Sequence, residues 1–318
     1  MRTDLRFGAV IPTYNRAHLI GRALESVLRQ SRQPAEIIVV DDGSTDDTAE
    51  RVALFGPAVH YLHQENAGAA AARNLGVRAA ESEWIAFLDS DDIWRPSHLE
   101  RMARAIEATD SAACFYFSDA ELSATEGGGR LWEICDFHID GDYELTPDAT
   151  EWVMKDWPPM LLPSSVFSRT ALHDSGGFWK RLSSREDTHL FMKLGIGGPA
   201  CAVAGCGVEV TNDDPEGRLT LAHRPSEGTG YRMQVLLHRD ILSSAAELGP
   251  AQRRLLRRRI ATSYRRLARL AWEGRQPYAS VRYAAHAAYF GPWPFVQHAV
   301  DVTFHSRKMV GRNAEQQV

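Results

Sequence analysis

Residues Glu36–Ser44 read Glu-Ile-Ile-Val-Val-Asp-Asp-Gly-Ser, an unbroken branched-aliphatic run that stops at two carboxylates and a glycine. A run without polar alternation marks a strand covered on both faces, and such strands belong to parallel sheets whose crossover helices supply the cover. Phe7–Ile11 predicts a strand on the N-terminal side. Between the two, Ala17–Gln30 places Leu19, Ile20, Ala23, Leu24, Val27 and Leu28 at helical spacing. On the other side the pattern predicts a helix over Asp46–Phe55, a strand over Val59–Leu62, an alanine-rich helix over Ala69–Ala80 and a strand over Glu83–Leu88. A further helix over Pro96–Ala108 opens with proline, whose missing N–H costs nothing in a first turn. Four strand–helix units in about 105 residues predict an α/β fold with a parallel, doubly wound sheet.

Ligands of such sheets sit outside the carboxyl ends of the strands. Pro12-Thr13-Tyr14-Asn15 follows the first strand, Asp41-Asp42-Gly43-Ser44 the second, and Asp89-Ser90-Asp91-Asp92 the fourth. Polar and acidic residues at successive strand ends converge on one edge of the sheet.

The rest of the chain is less regular. Strands are predicted over Ala113–Ser118, Ser164–Ser168 and Val208–Thr211, and a loop or small hairpin over Ser123–Tyr143. A helix starts at Arg185 and carries Glu186 and Asp187. Beyond about residue 231 the pattern becomes helical over Tyr231–Leu248, Gln252–Glu273 and Pro277–Tyr289. We therefore expect a unit of residues 1–230 and a helical C-terminal unit of residues 231–318.

The composition narrows the function. Of 318 residues, 44% are hydrophobic and 24% charged, which suits a packed core. With 36 basic and 41 acidic residues the net charge is −5, which argues against a nucleic-acid binder. No run of about 18 apolar residues predicts a membrane span, and the N-terminus lacks signal-peptide features. Cys114, Cys135, Cys201 and Cys206 are too scattered for a disulfide framework. A soluble, cytosolic protein is expected.

Three carboxylates in Asp89–Asp92 repel one another unless a cation or a proton relieves them. Oxygen-only donors suit Mg2+ or Mn2+ held together with substrate phosphates. Asp41 could accept the N3–H of a uracil or thymine ring, Tyr14 could lie against a base or ribose, and Arg73 could reach a phosphate with its planar fork. Gly43 and Gly68 permit close backbone approach. Each residue alone also has an ordinary reading: a solvated acidic turn, a turn or helix-cap aspartate, a surface arginine.

Together the residues resemble a known family. V-I-P-T-Y-N-R from Val10, I-I-V-V-D-D-G-S-T-D-D-T from Ile37, N-A-G-A-A-A-A-R-N-L-G from Asn66 and W-I-A-F-L-D-S-D-D from Trp84 match the inverting family 2 glycosyltransferases of the GT-A fold in order and spacing. The resemblance covers roughly residues 7–110 and implies a nucleotide-sugar donor, most often a UDP-sugar, and a divalent metal. It implies that Pro12, Thr13, Tyr14 and Asn15 line the nucleotide pocket beside Asp41, Asp42 and Gly43, and that Arg73 contacts the base or diphosphate. Asp89 and Ser90 would lie against the ribose or a metal-bound water, and Asp91 would ligate the metal. The family also places an acidic pair at the start of a helix after a G-G-F segment. Gly176-Gly177-Phe178 precedes Glu186-Asp187 here, which makes Asp187 the expected general base and Glu186 its support. His223, in a loop expected to close over the donor, is a further candidate toward the metal. Trp157 and Trp179 are candidates for the acceptor border.

Gln252–Glu273 lies within a stretch holding nine arginines between Arg253 and Arg275. It is either a solvated face or a surface resting on anionic lipid at the inner face of a membrane, where a lipid-linked acceptor would be met. Two competing functions remain open. A sugar-phosphate nucleotidyltransferase would need a Gly-rich, basic loop where this chain has P-T-Y-N. An inactive nucleotide-sugar-binding or scaffold homologue would not need Asp187. The G-x-G-x-x-G of a dinucleotide-binding fold is absent.

Overall fold

The computed structural model describes residues 5–123, 128–211 and 228–291. Strand β1 (Phe7–Thr13), helix α1 (Ile20–Leu28), β2 (Glu36–Asp41), α2 (Thr48–Ala53), β3 (His60–His63), α3 (Ala69–Ala79) and β4 (Trp84–Phe87) follow in the expected order. Strands β2 and β4 are buried along nearly their whole length, as their unalternating apolar sequences require. A short β5 (Ile93–Trp94), α4 (His98–Ala108) and β6 (Phe115–Leu122) continue the chain.

Among its described residues, the stretch expected as a loop or hairpin contains a hairpin strand and more. It holds β7 (Gly129–Arg130), paired with β6, then α5 (Leu131–Ile134) and β8 (Tyr143–Thr146). Helix α6 (Thr150–Val153), β9 (Ser165–Ser168), α7 (Arg169–Asp174) and α8 (Glu186–Gly195) lead to β10 (Ala200–Val210). That strand has 11 residues where the sequence predicts only its last few. Its Ala-Cys-Ala-Val-Ala-Gly-Cys-Gly start carries little of the β-branched signal that marks strands. Three helices close the described chain: α9 (Thr229–Ser244), α10 (Pro250–Glu273) and α11 (Pro277–Phe290).

The sheet runs in the order β3-β2-β1-β4-β9-β6-β10-β5, with β7 and β8 added at β6 and β10. Its first four strands are parallel; β9 is antiparallel to both neighbours, and β6 and β10 are again parallel. The chain moves from β1 outward to β2 and β3, then returns to β4 on the other side of β1. The crevice therefore opens at the carboxyl ends of β1 and β4, where a doubly wound sheet reverses direction.

The core joins both faces of the sheet through Phe87, Phe115, Phe117 and Phe167, all fully buried. A second, smaller cluster of Val235, Ile260, Tyr264, Leu267 and Ala287 holds α9, α10 and α11 together. Two arginines of α10 serve the fold: Arg253 donates to the carbonyls of Leu242, Ala245 and Leu248, and Arg259 donates to Met154 O and Asp156. Arg254, Arg257, Arg258, Arg266 and Arg269 are exposed.

Candidate active site

The three strand ends meet as expected, but their residues divide into two sets with different tasks. One set builds the rim. Asn15, in the left-handed region at φ 52°, accepts from the Thr45 N–H at 2.8 Å, and its own N–H donates to Ser44 Oγ at 2.9 Å. It ties the loop after β1 to the loop after β2. Asp42 accepts from Gln64 Nε2 at 2.6 Å and from the backbone N–H groups of Ala67 and Gly68 at 2.9 and 2.8 Å. Its carboxylate thus holds the loop that enters α3. Gly43 has φ +85°, and a Cβ there would lie 2.9 Å from the Asn66 N. The close approach expected at Gly43 is to this chain's own loop. Pro12 and Thr13 are buried at the end of β1, paired with Val40 and Asp41.

The other set faces the crevice. Tyr14 is 46% exposed. Asp41 is buried, and its two oxygens accept from the Ser44 N–H and the Tyr61 hydroxyl, each at 2.7 Å. Each carboxylate oxygen offers a second lone pair, so the group retains acceptor capacity. Tyr61 has no motif around it, and sequence reading misses it. The aspartate pulls the Tyr61 phenol pKa upward, with burial the larger cause.

The centre of the site is Arg73, buried at 6% exposure. Its Nη2 donates to Asp89 Oδ1 at 2.7 Å and its Nη1 to Glu186 Oε1 at 2.5 Å. The guanidinium also lies 5.6 Å over the Phe178 ring. The resemblance implies a contact of Arg73 with the base or diphosphate; the structure sets its guanidinium between two carboxylates. Burial alone would lower its pKa, but Asp89 and Glu186 outweigh burial and hold it charged, above the ordinary value. Burial pushes Glu186 above the ordinary glutamate range; Arg73 opposes this and Asp187 adds to it.

Asn74, next to Arg73, fixes the G-G-F segment. Its Nδ2 donates to Phe178 O at 2.8 Å, and its Oδ1 accepts from the Phe178 N–H at 2.9 Å. Gly177 lies at φ +67°, and a Cβ there would meet Asn74 Oδ1 at 2.5 Å, so only glycine allows this pairing. Arg185 then takes a left-handed turn, φ 65°, and α8 starts at Glu186. Asp187, half-buried, accepts from the Thr188 N–H through Oδ1 at 2.6 Å. Its Oδ2 meets no donor among the described residues.

The turn after β4 is held from β10. Thr211 donates its N–H to Asp92 Oδ1 at 3.1 Å and its hydroxyl to the Asp91 carbonyl at 2.5 Å. Asp92 and Ser90 are buried, whereas Asp89 and Asp91 are half-exposed. Among the described residues no three His, Cys, Asp or Glu side chains converge in a metal cage. A Mg2+- or Mn2+-type site needs only one or two carboxylates when a diphosphate supplies the remaining oxygens. Asp89 and Asp91 fit that requirement. His223 lies outside the described residues. Trp157 is 69% exposed, and Trp179 stacks on His189 with centroids 5.1 Å apart.

Residues 9–141 match the sequence model of glycosyl transferase family 2. Through this stretch, about two fifths of the chain, it is similar to glycosyltransferase family 2. An uncharacterized glycosyltransferase of Rickettsia bellii is 35% identical over 194 residues, covering 60% of this chain and 26% of that protein. The chain thus spans about a quarter of that relative's length. Among solved structures, S. aureus TarS 1–349 in complex with UDP-GlcNAc has a TM-score of 0.64 at 18% identity, covering 89% of this chain and 91% of that one. The mannosyltransferase PcManGT from Pyrobaculum calidifontis, in complex with GDP-Man and Mn2+, has a TM-score of 0.55 at 20% identity, covering 96% and 80%. These likenesses show the GT-A fold. The four family 2 motifs map onto the β1, β2 and β4 strand ends and onto the start of α3.

Proposed function

We propose that this protein is a metal-dependent inverting glycosyltransferase. It moves a sugar from a UDP-sugar to a hydroxyl of a carbohydrate or lipid-linked acceptor, in polysaccharide or glycolipid assembly. The observation that carries this reading is the Arg73 bridge, which joins Asp89 of the β4 turn to Glu186 at the start of α8. It couples the donor side to the helix that bears Asp187. The nucleotide-sugars named with TarS and PcManGT support the donor class.

Tyr14 covers a face of the nucleotide, and Asp41 accepts from its base. Asp187 Oδ2 takes the proton of the acceptor hydroxyl while that oxygen attacks the anomeric carbon opposite the diphosphate. The bond from the anomeric carbon to the diphosphate oxygen breaks, and the electron pair leaves with the diphosphate. Mg2+ or Mn2+ held by Asp91, with Asp89 beside it, would supply positive charge to the departing diphosphate. Arg73 sets the position of Asp89, and Glu186 anchors Arg73.

We assign the transfer chemistry to residues 1–230 and an accessory role to residues 231–318. The exposed arginines of α10 give this second unit a basic face suited to an anionic lipid surface. No helix among the described residues is long and apolar enough to cross a membrane.

The test is incubation with UDP-, GDP- and TDP-sugars in the presence of Mn2+. Slow, metal-dependent hydrolysis of one UDP-sugar is expected. Silence across the panel overturns the reading.

A further inference from the structure

A second cleft, of about 960 Å³, opens behind the G-G-F segment between α3, α7, α8 and α9. That volume lies at the upper end of ordinary ligand sites. Its walls carry Arg78, Arg169, Lys180, Arg181 and Lys193, and a single carboxylate, Asp240. Asp240 is already engaged, its Oδ2 2.8 Å from His189 Nε2. None of the five cations is paired with a carboxylate among the described residues. In a chain of net charge −5, such a concentration of one sign is a local reversal. Like charges lining a concave wall repel one another in the folded state and focus a positive potential into the cleft.

An aromatic wall accompanies the cations. His189 lines the cleft with its side chain 2% exposed, and its Nε2 is held by Asp240. That contact fixes the ring in place, so the anion-attracting groups of the wall are the five cations. Trp179 stacks on His189 from one side and carries the Arg181 guanidinium 5.4 Å above its ring. The wall is therefore a flat ring edged by cations.

Helix geometry connects this cleft to the active site. Glu186, His189 and Lys193 recur at helical spacing on one face of α8. At about 1.5 Å of rise per residue, the cleft begins about 5 Å along the helix from Glu186.

We infer that the cleft binds a phosphate-bearing ligand, and that this ligand is the anionic part of the acceptor. The assignment to the acceptor rests on the transferase reading above; the anion site itself does not. Two sources share the chemistry, a phosphate on a soluble glycan and the phosphate of a lipid headgroup.

The test is calorimetry on the full chain, in metal-free buffer with saturating UDP, using inorganic phosphate, tripolyphosphate, and vesicles of phosphatidylglycerol or of phosphatidylcholine. The double variant Lys180→Glu/Arg181→Glu and the single variant Arg78→Gln alter exposed residues, and unchanged UDP affinity and melting temperature report that each remains folded. Tripolyphosphate is expected to bind beside UDP, more tightly than inorganic phosphate, and the double variant is expected to lose at least about ten-fold in affinity, with a smaller loss for Arg78→Gln. Binding of phosphatidylglycerol vesicles alone, lost in the double variant, assigns the phosphate to a lipid headgroup and supports the site equally. Binding that both variants leave unchanged, competition between UDP and tripolyphosphate, or no binding of any phosphate probe overturns the proposal. Hydrolysis of UDP-sugar is read separately, so failure of the transferase reading leaves this measurement standing.

Discussion

Arg73 Nη1 and Glu186 Oε1 lie 2.5 Å apart although 113 residues separate them in the chain. The contact joins the end of the first, motif-bearing half to a helix that no motif in that half announces. Both side chains are 7% exposed. Taking two charges out of water is costly, and their attraction offsets that cost only while the geometry holds. The pair is therefore better understood as a register pin than as a source of net stability. Asp89, the third member, is 35% exposed, so the pin also fixes a partly exposed carboxylate in the turn after β4.

Arg73→Met leaves Glu186 buried without its cation, and Glu186→Leu leaves Arg73 with only Asp89. Each is expected to cost about 3–5 kcal/mol, because breaking a buried pair strands one charge. The double variant Arg73→Met/Glu186→Leu is expected to cost much less than the sum. Urea unfolding of the four proteins checks this, and strict additivity would show that the two groups do not depend on each other.

Most of the parallel half was legible in the sequence, since β1 to α4 carry the apolar periods that packing on a sheet demands. Strand β10 was not, because Ala200–Gly207 is built from small residues that give neither alternation nor bulk. At the site, the position of Asp89 and Asp91 in the turn after β4 was legible from the strand pattern. Asp42, Gly43 and Asn15 hold loops here, a task the sequence does not separate from ligand contact, because Asp, Gly and Asn serve equally in both. The task of Arg73 was hidden for another reason. Its partners come from β4 and α8, and spacing along the chain does not reveal which charges a buried guanidinium will meet.

Tyr14, just beyond the end of β1, is 46% exposed. Tyr14→Ala is expected to weaken UDP binding by about 1–3 kcal/mol, the range for stacking of a base on an aromatic ring, with an unchanged melting temperature. Calorimetry with UDP reads the first and a thermal scan the second. Equal affinity in the two proteins would place the base elsewhere.

His98 and His238 give the fold a defined acid limit. Burial, aided by Arg101 beside His98 and by Arg259 and Arg185 beside His238, pushes both from 6.5 down to about 3. Both ring nitrogens of His98 are buried without partners. The folded state therefore binds fewer protons than the unfolded chain between these values. The stability these neutral rings contribute is complete above pH 6.5 and is lost as the pH falls toward 3. The slope is about 1.4 kcal/mol per pH unit for each histidine. His98→Leu is expected to remove about half of this slope between pH 6 and 4. Urea unfolding across that interval reads it, and an unchanged slope would mean that His98 does not titrate with unfolding.

Asp187 carries the strongest chemical assignment and has the sharpest test. Its Oδ1 is bound to the Thr188 N–H, which orients the carboxylate, and in the proposed mechanism Oδ2 takes the acceptor proton. Asp187→Asn keeps the size and the hydrogen bond at Oδ1 but cannot take a proton. Turnover is expected to fall about 10²–10⁴-fold, the range for losing a general base. UDP affinity should hold, since the base acts in the transition state and makes no contact with the nucleotide. Glu186→Gln serves as the companion measurement. It keeps an acceptor oxygen for Arg73 but removes the charge, so it should lower melting temperature as well as turnover. Asp187→Asn should lower turnover alone. If both variants lose stability in equal measure, Asp187 belongs to the Arg73 pin and the proton acceptor must be sought elsewhere in the crevice.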